Sequence, residues 1–396
     1  MPDRSQAPIQ ARIRSMTDFS RPGSRPDTRR CDSALTASRR RPSFSGDNVF
    51  RGELTARVNA YFQTTGQSRR DVGVWYAKAA TILATFGVSY ALLVFVASTW
   101  WQAVPLTVLL SLSVVGIGFN IMHDGSHRAV SRHRAVNRLM AHSLDIVGGS
   151  SYLWHWKHDV LHHTYANITG HDMDVTLGAL TRFTPHQPRY AHQRWQHWYV
   201  WILYGLLVVK WQFYDDFKVL LTGKIGPHQV PRPRGQSLVM LLLGKLVFVV
   251  LGFVLPLLLH PIWVYIPLYA LFAIVVGFVL SIVFQLAHVV EAASFPVVPA
   301  GERSIDRSWA EHQVQSTVNF CHGNHVVTWL LGGLNYQIEH HLFPGISHCN
   351  YPALSRIVKP TCEEFGIPYN EHASFWAGLC SHARWLKQLG KAESAA

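Results

Sequence analysis

The chain has 396 residues, of which 48% are hydrophobic, and a formal net charge of +13. The length alone would suit two soluble domains, but the hydrophobic residues lie in two long runs, which argues against an ordinary soluble protein. This net positive charge favours contact with anionic lipid headgroups or with a phosphate-bearing substrate. Nucleic acid is the poorer partner, because the basic residues flank the apolar runs.

Residues 1–60 are rich in Arg, Ser and Pro and lack apolar periodicity. This composition predicts a disordered basic tail, followed by one membrane domain over 61–390. A transit peptide is the alternative, but four aspartates within the first 32 residues count against it.

The first apolar run, 79–122, contains no acidic or basic residue, and the second, 246–287, contains only His260. A helix of ~20 apolar residues crosses the ~30 Å hydrocarbon core, so each run is long enough for two spans. We predict spans near 79–100, 103–122, 238–259 and 264–287, arranged in two hairpins. Because the third span then includes Lys245, we expect its side chain to snorkel to the cytosolic face.

Charge predicts the orientation of these hairpins. Neither turn carries Lys or Arg, so the positive-inside rule places both termini in the cytosol. Residues 123–235 and 288–390 would form a helical cytosolic cap. Within it, the apolar stretch 200–209 is too short to span and predicts a helix on the membrane surface or packed in the cap. The five cysteines form no CxxC motif, which favours reduced thiols.

Three histidine clusters stand at the predicted cytosolic side and read HDGSH, HDVLHH and QIEHH. Neutral imidazoles bind transition metals such as iron, and seven of them exceed the need of one ion, which indicates a pair of metals. A further histidine ends the fourth span, where ionisable residues are functional candidates. The predicted metal ligands are His123, His127, His158, His162, His163, His288, His340 and His341.

A pair of irons beside a membrane can activate O2 and attack an unactivated C–H bond. Zinc-dependent hydrolysis fits less well, because HExxH is absent. We predict no catalytic side chain beyond the metal ligands. Gln337 is a further ligand or a neighbour of one, His155 is a hydrogen-bonding neighbour or a surface residue, and Asp172 orients a ligand or caps a helix. Another set lines a substrate tunnel or forms a packed helix face: Trp309, Gln313, Thr317 and Asn319.

The segments HDGSH, WKHDVLHHTYANITGHDMD and GGLNYQIEHHLFPG resemble the three histidine boxes of the membrane fatty acid desaturases. The resemblance covers roughly Trp75 to Tyr369. Glutamine at 337 is similar to the front-end branch, which includes linoleoyl-CoA-type enzymes, and His288 in FQLAH resembles an additional ligand. The resemblance implies an all-α integral membrane protein, with four transmembrane helices in two hairpins and a helical cytosolic cap that holds a di-iron site. It also implies a fatty acyl substrate, as acyl-CoA or acyl-lipid, with O2 as co-substrate.

The sequence departs from many front-end desaturases in lacking the HPGG motif of a fused cytochrome b5 domain. We therefore expect a separate electron donor, either a ferredoxin or free cytochrome b5 with its reductase. A lipid or carotenoid hydroxylase or ketolase with the same di-iron core is the alternative function. A haem carrier or metal transporter fits less well, because a transporter places its ionisable groups at mid-membrane.

Overall fold

The computed structural model describes residues 41–298, 302 and 304–391, which form a predominantly helical protein. Within these ranges, β structure is limited to three pairs of two-residue strands. Ser43–Phe44 pairs in parallel with Ser304–Ile305, and Asn319–Phe320 pairs in parallel with Glu371–His372. Lys224–Ile225 and His228–Gln229 form an antiparallel pair. The predicted all-α class is confirmed.

Four helices of the described chain are long and apolar enough to cross a membrane. They are α2 (Gly73–Phe95), α3 (Trp100–Ser126), α9 (Gln236–Leu259) and α10 (Ile262–His288). The turns between α2 and α3 and between α9 and α10 are short, so the four helices form the two predicted hairpins. Two of them contain π-helical stretches, Ile117–Met122 in α3 and Val250–Val254 in α9.

The remaining helices form the cap region. They are α1 (Val49–Thr65), α4 (Arg134–Ala141), α5 (Ser143–Ile146), α6 (151–165), α7 (Gln196–Gly205), α8 (207–222), α11 (Trp309–Ser316), α12 (His325–Leu330), α13 (Gln337–Leu342), α14 (Tyr351–Glu364) and α15 (Phe375–Gly390). Helix α6 has a π-helical centre, His155–His162, and α8 has one at Trp211–Asp215. Short 3-10 turns lie at Gly178–Leu180, Ala191–Trp195 and His348–Asn350.

Helix α1 corrects the prediction that residues 1–60 form a disordered tail. Its buried residues Phe50, Leu54, Val58 and Phe62 recur every four positions and so form one apolar face. This face packs on the third-cluster region, with Ile338 and Leu354 among its neighbours in the core. The prediction was wrong for residues 49–60, and residues 1–40 lie outside the described part of the chain.

Helix α7 contains most of the stretch that sequence placed on the membrane or in the cap. Val200 and Tyr204 are buried in the core shared with α10, whereas Trp198 and Ile202 are each 70% exposed. The approach to α10 is close, because a Cβ on Gly277 would lie 2.5 Å from the carbonyl oxygen of Tyr204. Helix α7 therefore packs on the last span with one face and leaves an apolar face outward.

Lys245 does not snorkel, and that prediction was wrong. Its Nζ atom donates to the carbonyl oxygen of Gly148 at 2.5 Å and pairs with Asp216 at 2.7 Å. The side chain is only 12% exposed. A paired carboxylate within reach satisfies the ammonium group inside the protein, so it has no need to extend to the membrane surface.

Candidate metal centre

The eight predicted histidines converge in one buried region. Helix α3 supplies His123 and the residue after its end supplies His127, while α10 ends on His288. Helix α6 supplies the second cluster and α13 the third. All eight side chains are buried.

The eight imidazoles form two adjoining groups. In the first, the candidate ligand atoms of His123, His127, His158 and His340 all lie within 4.8 Å of one another. In the second, those of His162, His288 and His341 do so. His163 lies between them, with ring centroids 4.4 Å from His127 and 4.3 Å from His341. His340 and His341 fall in different groups of these two, but they also form a third set with His163, so His163 adjoins both groups.

The unpaired nitrogens of these rings fit bound cations. Among the described residues, the Nε2 atoms of His127, His162, His340 and His341 are buried without a hydrogen-bond partner. A buried polar atom left unpaired costs free energy. The Nε2 atoms of His123 and His158 lie only 3.1 Å apart, so both would contact one bound cation.

Burial keeps most of these imidazoles neutral, which metal ligation requires. Removal from water lowers the pKa of His127, His163, His340 and His341 well below the ordinary value, and also lowers that of His158.

His162 differs from the other rings. Burial by itself lowers its pKa, but the Asp172 carboxylate, with a smaller contribution from Asp174, outweighs that effect and raises the pKa. A carboxylate behind an imidazole raises its basicity as a ligand.

Three polar side chains hold the outward ring nitrogens. The Nδ1 atom of His162 donates to Asp172 at 2.9 Å, and Asp172 is 2% exposed. The Nδ1 atom of His341 donates to Gln313 Oε1 at 2.7 Å, and that of His340 lies 3.2 Å from the Tyr351 hydroxyl. Such partners fix the ring orientation and leave the opposite nitrogen free to bind a metal.

The three residues predicted beside the ligands, Gln337, His155 and Asp172, differ in their contacts with the histidine groups. Gln337 lies beside His288, with its Nε2 atom 3.0 Å from the Nε2 atom of that ring. His155 is 45% exposed and bonds Asp159 at 2.9 Å, and it joins neither histidine group. Asp172 bonds a candidate ligand, which agrees with the orienting alternative rather than the helix cap.

The residues predicted to line a tunnel or form a packed helix face are not among the lining residues of the cavity beside the histidines, which counts against the tunnel. Gln313 bonds His341 instead, and Trp309 Nε1 donates to the carbonyl oxygen of His163 at 3.2 Å. The side-chain amide of Asn319 donates to Glu339 at 2.8 Å and its oxygen accepts from the Ile338 amide. Gln313 and Asn319 therefore hold the third cluster and Trp309 bonds the second, as residues of a packed helix face would.

Sequence reasoning missed Asp159 and assigned no role to Glu339. Asp159 Oδ1 lies 3.6 Å from His127 Nε2 and accepts from the Ser126 hydroxyl at 3.0 Å. Glu339 accepts from the Tyr369 hydroxyl at 2.8 Å, and burial raises its pKa to about 7. Both carboxyl groups lie inside the quoted clusters, so their positions were visible, but Ser126 and Tyr369, which bond them, are 33 and 30 positions away in sequence.

A largely apolar cavity of about 380 Å³ adjoins the first histidine group. His123, His158 and Gln337 line it beside the metal centre, and Lys157 and Lys210 are among its polar lining residues. Phe119, Leu207, Val276, Leu280 and Phe284 are among its apolar walls. A largely apolar space of this size suits a hydrocarbon chain, because its walls offer apolar contact.

Comparison with known proteins assigns the chain to a family. The family model named fatty acid desaturase matches residues 98–373. The sn-1 linoleoyl-lipid 6-desaturase of Arthrospira platensis is 36% identical over 90% of this chain and 96% of its own length. That of Synechocystis sp. is 37% identical over 90% of this chain and 99% of its own length. The acyl-lipid (8-3)-desaturase of Physcomitrium patens is 34% identical over 85% of this chain and 71% of its own length.

Proposed function

The chain belongs to the fatty acid desaturase family, and from this premise we propose that it forms a double bond in the acyl chain of a membrane lipid. The enzyme is an oxidoreductase that acts on a fatty acyl substrate. We further propose that its metals are two irons, its co-substrate is O2, and the new double bond lies toward the carboxyl end. The names of the cyanobacterial and moss relatives support the lipid-bound substrate and this region of the chain.

One observation carries the proposal: two adjoining groups of buried imidazoles lie together, and the first of them lines an apolar cavity. The group of His123, His127, His158 and His340 would hold one iron, and that of His162, His288 and His341 the other. His163 lies between the groups and would serve either. Gln337 supports the second group as a neighbour of His288 or as an additional ligand.

The reaction removes two hydrogens from adjacent carbons, while O2 takes them up with two electrons and two further protons to give two waters. Bound iron would supply the O2 activation that an unactivated C–H bond requires. The protein's own residues hold the substrate and the ligands in place. The apolar walls exclude water around the chain, and Asp172, Gln313 and Tyr351 hold three imidazoles in fixed orientations.

The proposed topology places both termini and the metal centre on the cytosolic face. The short connections 96–99 and 260–261 between the paired spans carry no Lys or Arg, which supports this orientation. We propose that a separate ferredoxin, or cytochrome b5 with its reductase, supplies the electrons, and that membrane lipids surround the spans. The basic residues of the cap would favour an acidic donor protein.

The test is expression of the full chain with a suitable electron donor in a host that lacks the product. A new double bond located by mass spectrometry is expected, and His123→Ala should abolish it. Lys224→Ala is a matched control on a surface strand outside the centre and should retain it. Unchanged lipids in the presence of a working donor would contradict the proposal. Products that carry oxygen from ¹⁸O2 would assign hydroxylation instead.

A further inference from the structure

A second apolar pocket, of about 150 Å³, lies between the four candidate spans. Phe248, Gly252 and Leu268 are among its walls. Val114 and Val147 line both this pocket and the cavity beside the histidines. The two apolar spaces are therefore neighbours that share one partition, and we call the larger the acyl cavity and the smaller the lower pocket.

A buried glutamine closes the partition between them. The Gln212 amide donates to the carbonyl oxygen of Val147 at 2.9 Å, and its Oε1 atom accepts from the Tyr269 hydroxyl at 3.0 Å. Gln212 lines the acyl cavity, whereas Tyr269 lines the lower pocket. We name Gln212, Tyr269, Val114 and Val147 the floor. Its polar bonds lie between two apolar spaces, where a hydrocarbon chain offers no replacement for them.

Lys245 fixes the backbone on both sides of the floor. Its Nζ atom donates to the carbonyl oxygen of Gly148 at 2.5 Å and lies 3.4 Å from that of Gln212. Asp216 neutralises it at 2.7 Å. Lys245 is the tenth residue of the span Gln236–Leu259, about 14 Å along the helix at 1.5 Å per residue. An ionisable residue at that depth is costly and indicates a function.

We propose that the floor stops the methyl end of the acyl chain and so sets the longest chain that the enzyme accepts. The lower pocket is the additional room that a longer chain needs. This inference rests on the proposed desaturase function. If the double bond forms toward the carboxyl end, most of the chain extends beyond the metals, and the end of the cavity then limits its length. A difference of one methylene in an apolar site changes selectivity by roughly tenfold or more.

The experiment compares the preferred acyl chain with chains that are longer by two or four carbons, supplied in competition to cells that express the full protein. Tyr269→Phe removes the hydroxyl that holds Gln212 and keeps the ring. We expect the ratio of longer to preferred product to rise about fivefold, the equivalent of one net hydrogen bond. Val147→Ala, which widens the partition by another route, should shift the ratio in the same direction.

Two further variants test the role of the lower pocket. Adding Leu268→Trp to Tyr269→Phe fills the pocket and should return the ratio to the wild-type value. Tyr265→Phe is the matched control, because it removes a hydroxyl bonded to the Gly252 carbonyl oxygen at 2.8 Å and leaves the floor intact. Its length ratio should equal that of the wild type.

The outcomes separate this inference from the proposed function. An active wild type whose length ratio is unchanged in Tyr269→Phe and Val147→Ala overturns the floor. Equal loss at all chain lengths, with normal protein and iron content, also overturns it, because it would show a structural role only. Absence of any double bond in wild-type cells with a working donor contradicts the proposed function itself. A Tyr269→Phe/Leu268→Trp double variant that keeps the raised length ratio would likewise overturn the inference.

Discussion

Substitution of Asp172 by Asn tests how the centre holds its second group of histidines. The Asp172 Oδ2 atom accepts from His162 Nδ1 and from the Asn167 amide, both at 2.9 Å, and Oδ1 accepts from the Asp174 amide at 2.9 Å. Asparagine has nearly the same size but only one oxygen. Whichever way it lies, its amino group must face at least one of these donors.

The structure gives the size of the expected effect. Asp172→Asn loses at least one hydrogen bond, worth about 1 kcal/mol, and leaves a buried donor unpaired at about 1–3 kcal/mol. It also removes the negative charge that makes the His162 ring more basic. Loss of such a partner typically weakens metal binding about 10–100-fold. The effect should fall on the group of His162, His288 and His341, so about half of the iron should become weakly held.

The assay measures iron retained by detergent-purified protein against a chelator of graded concentration. Asp145→Asn is a close control. Asp145 is also buried, lies 2.9 Å from the Nδ1 atom of His142 and accepts from the Ser151 amide at 3.1 Å. His142 is not a candidate ligand, so this variant should lose stability but keep its iron. Equal iron retention by Asp172→Asn and wild type, or equal loss in both variants, would refute the reasoning.

Three other outcomes are expected. Lys245→Met leaves the buried Asp216 carboxylate unpaired and should lower the free energy of unfolding by about 3–5 kcal/mol. Adding Asp216→Leu should restore most of that loss. Thermal unfolding in detergent checks both variants, and a double variant no more stable than Lys245→Met would contradict the ion-pair explanation. Burial lowers the pKa of His382 to about 4, below its unfolded value, so its contribution is present above pH 6.5 and is lost as the pH falls toward 4. The loss should reach about 2 kcal/mol at pH 5, and a His382→Gln variant with an equally steep pH dependence of unfolding would argue against this. Tyr351→Phe removes a neutral partner 3.2 Å from His340, so it should weaken iron retention about tenfold or less, and a loss larger than in Asp172→Asn would be inconsistent with the ranking of these partners.

The spans were predictable because hydrophobic length leaves few alternatives, but their ends were not. The first span was predicted to begin at residue 79, after Lys78, and it begins at Gly73. Lys78 lies inside the helix at 3% exposure, with its Nζ atom 3.1 Å from His348 Nε2. In a sequence, a lysine marks the boundary of an apolar run, because the partner that pairs with that lysine inside the protein is not visible.

The histidine set was predictable from local spacing, whereas the residues that orient it were not. His162 and its partner Asp172 are ten positions apart, but His341 and Gln313 are 28 apart and belong to different helices. Spacing on an α-helix also misses the π-helical stretch His155–His162 that carries most of the second cluster. Such stretches occur frequently at functional sites, and they depend on tertiary contacts rather than on residue preference.

Metal analysis of active, detergent-purified protein tests the central claim most directly. The account predicts iron at about two ions per chain, and a loss of about half in His288→Ala, because that ring belongs to only one group. Active protein that contains zinc or no metal would contradict it. So would His288→Ala protein that retains all of its iron.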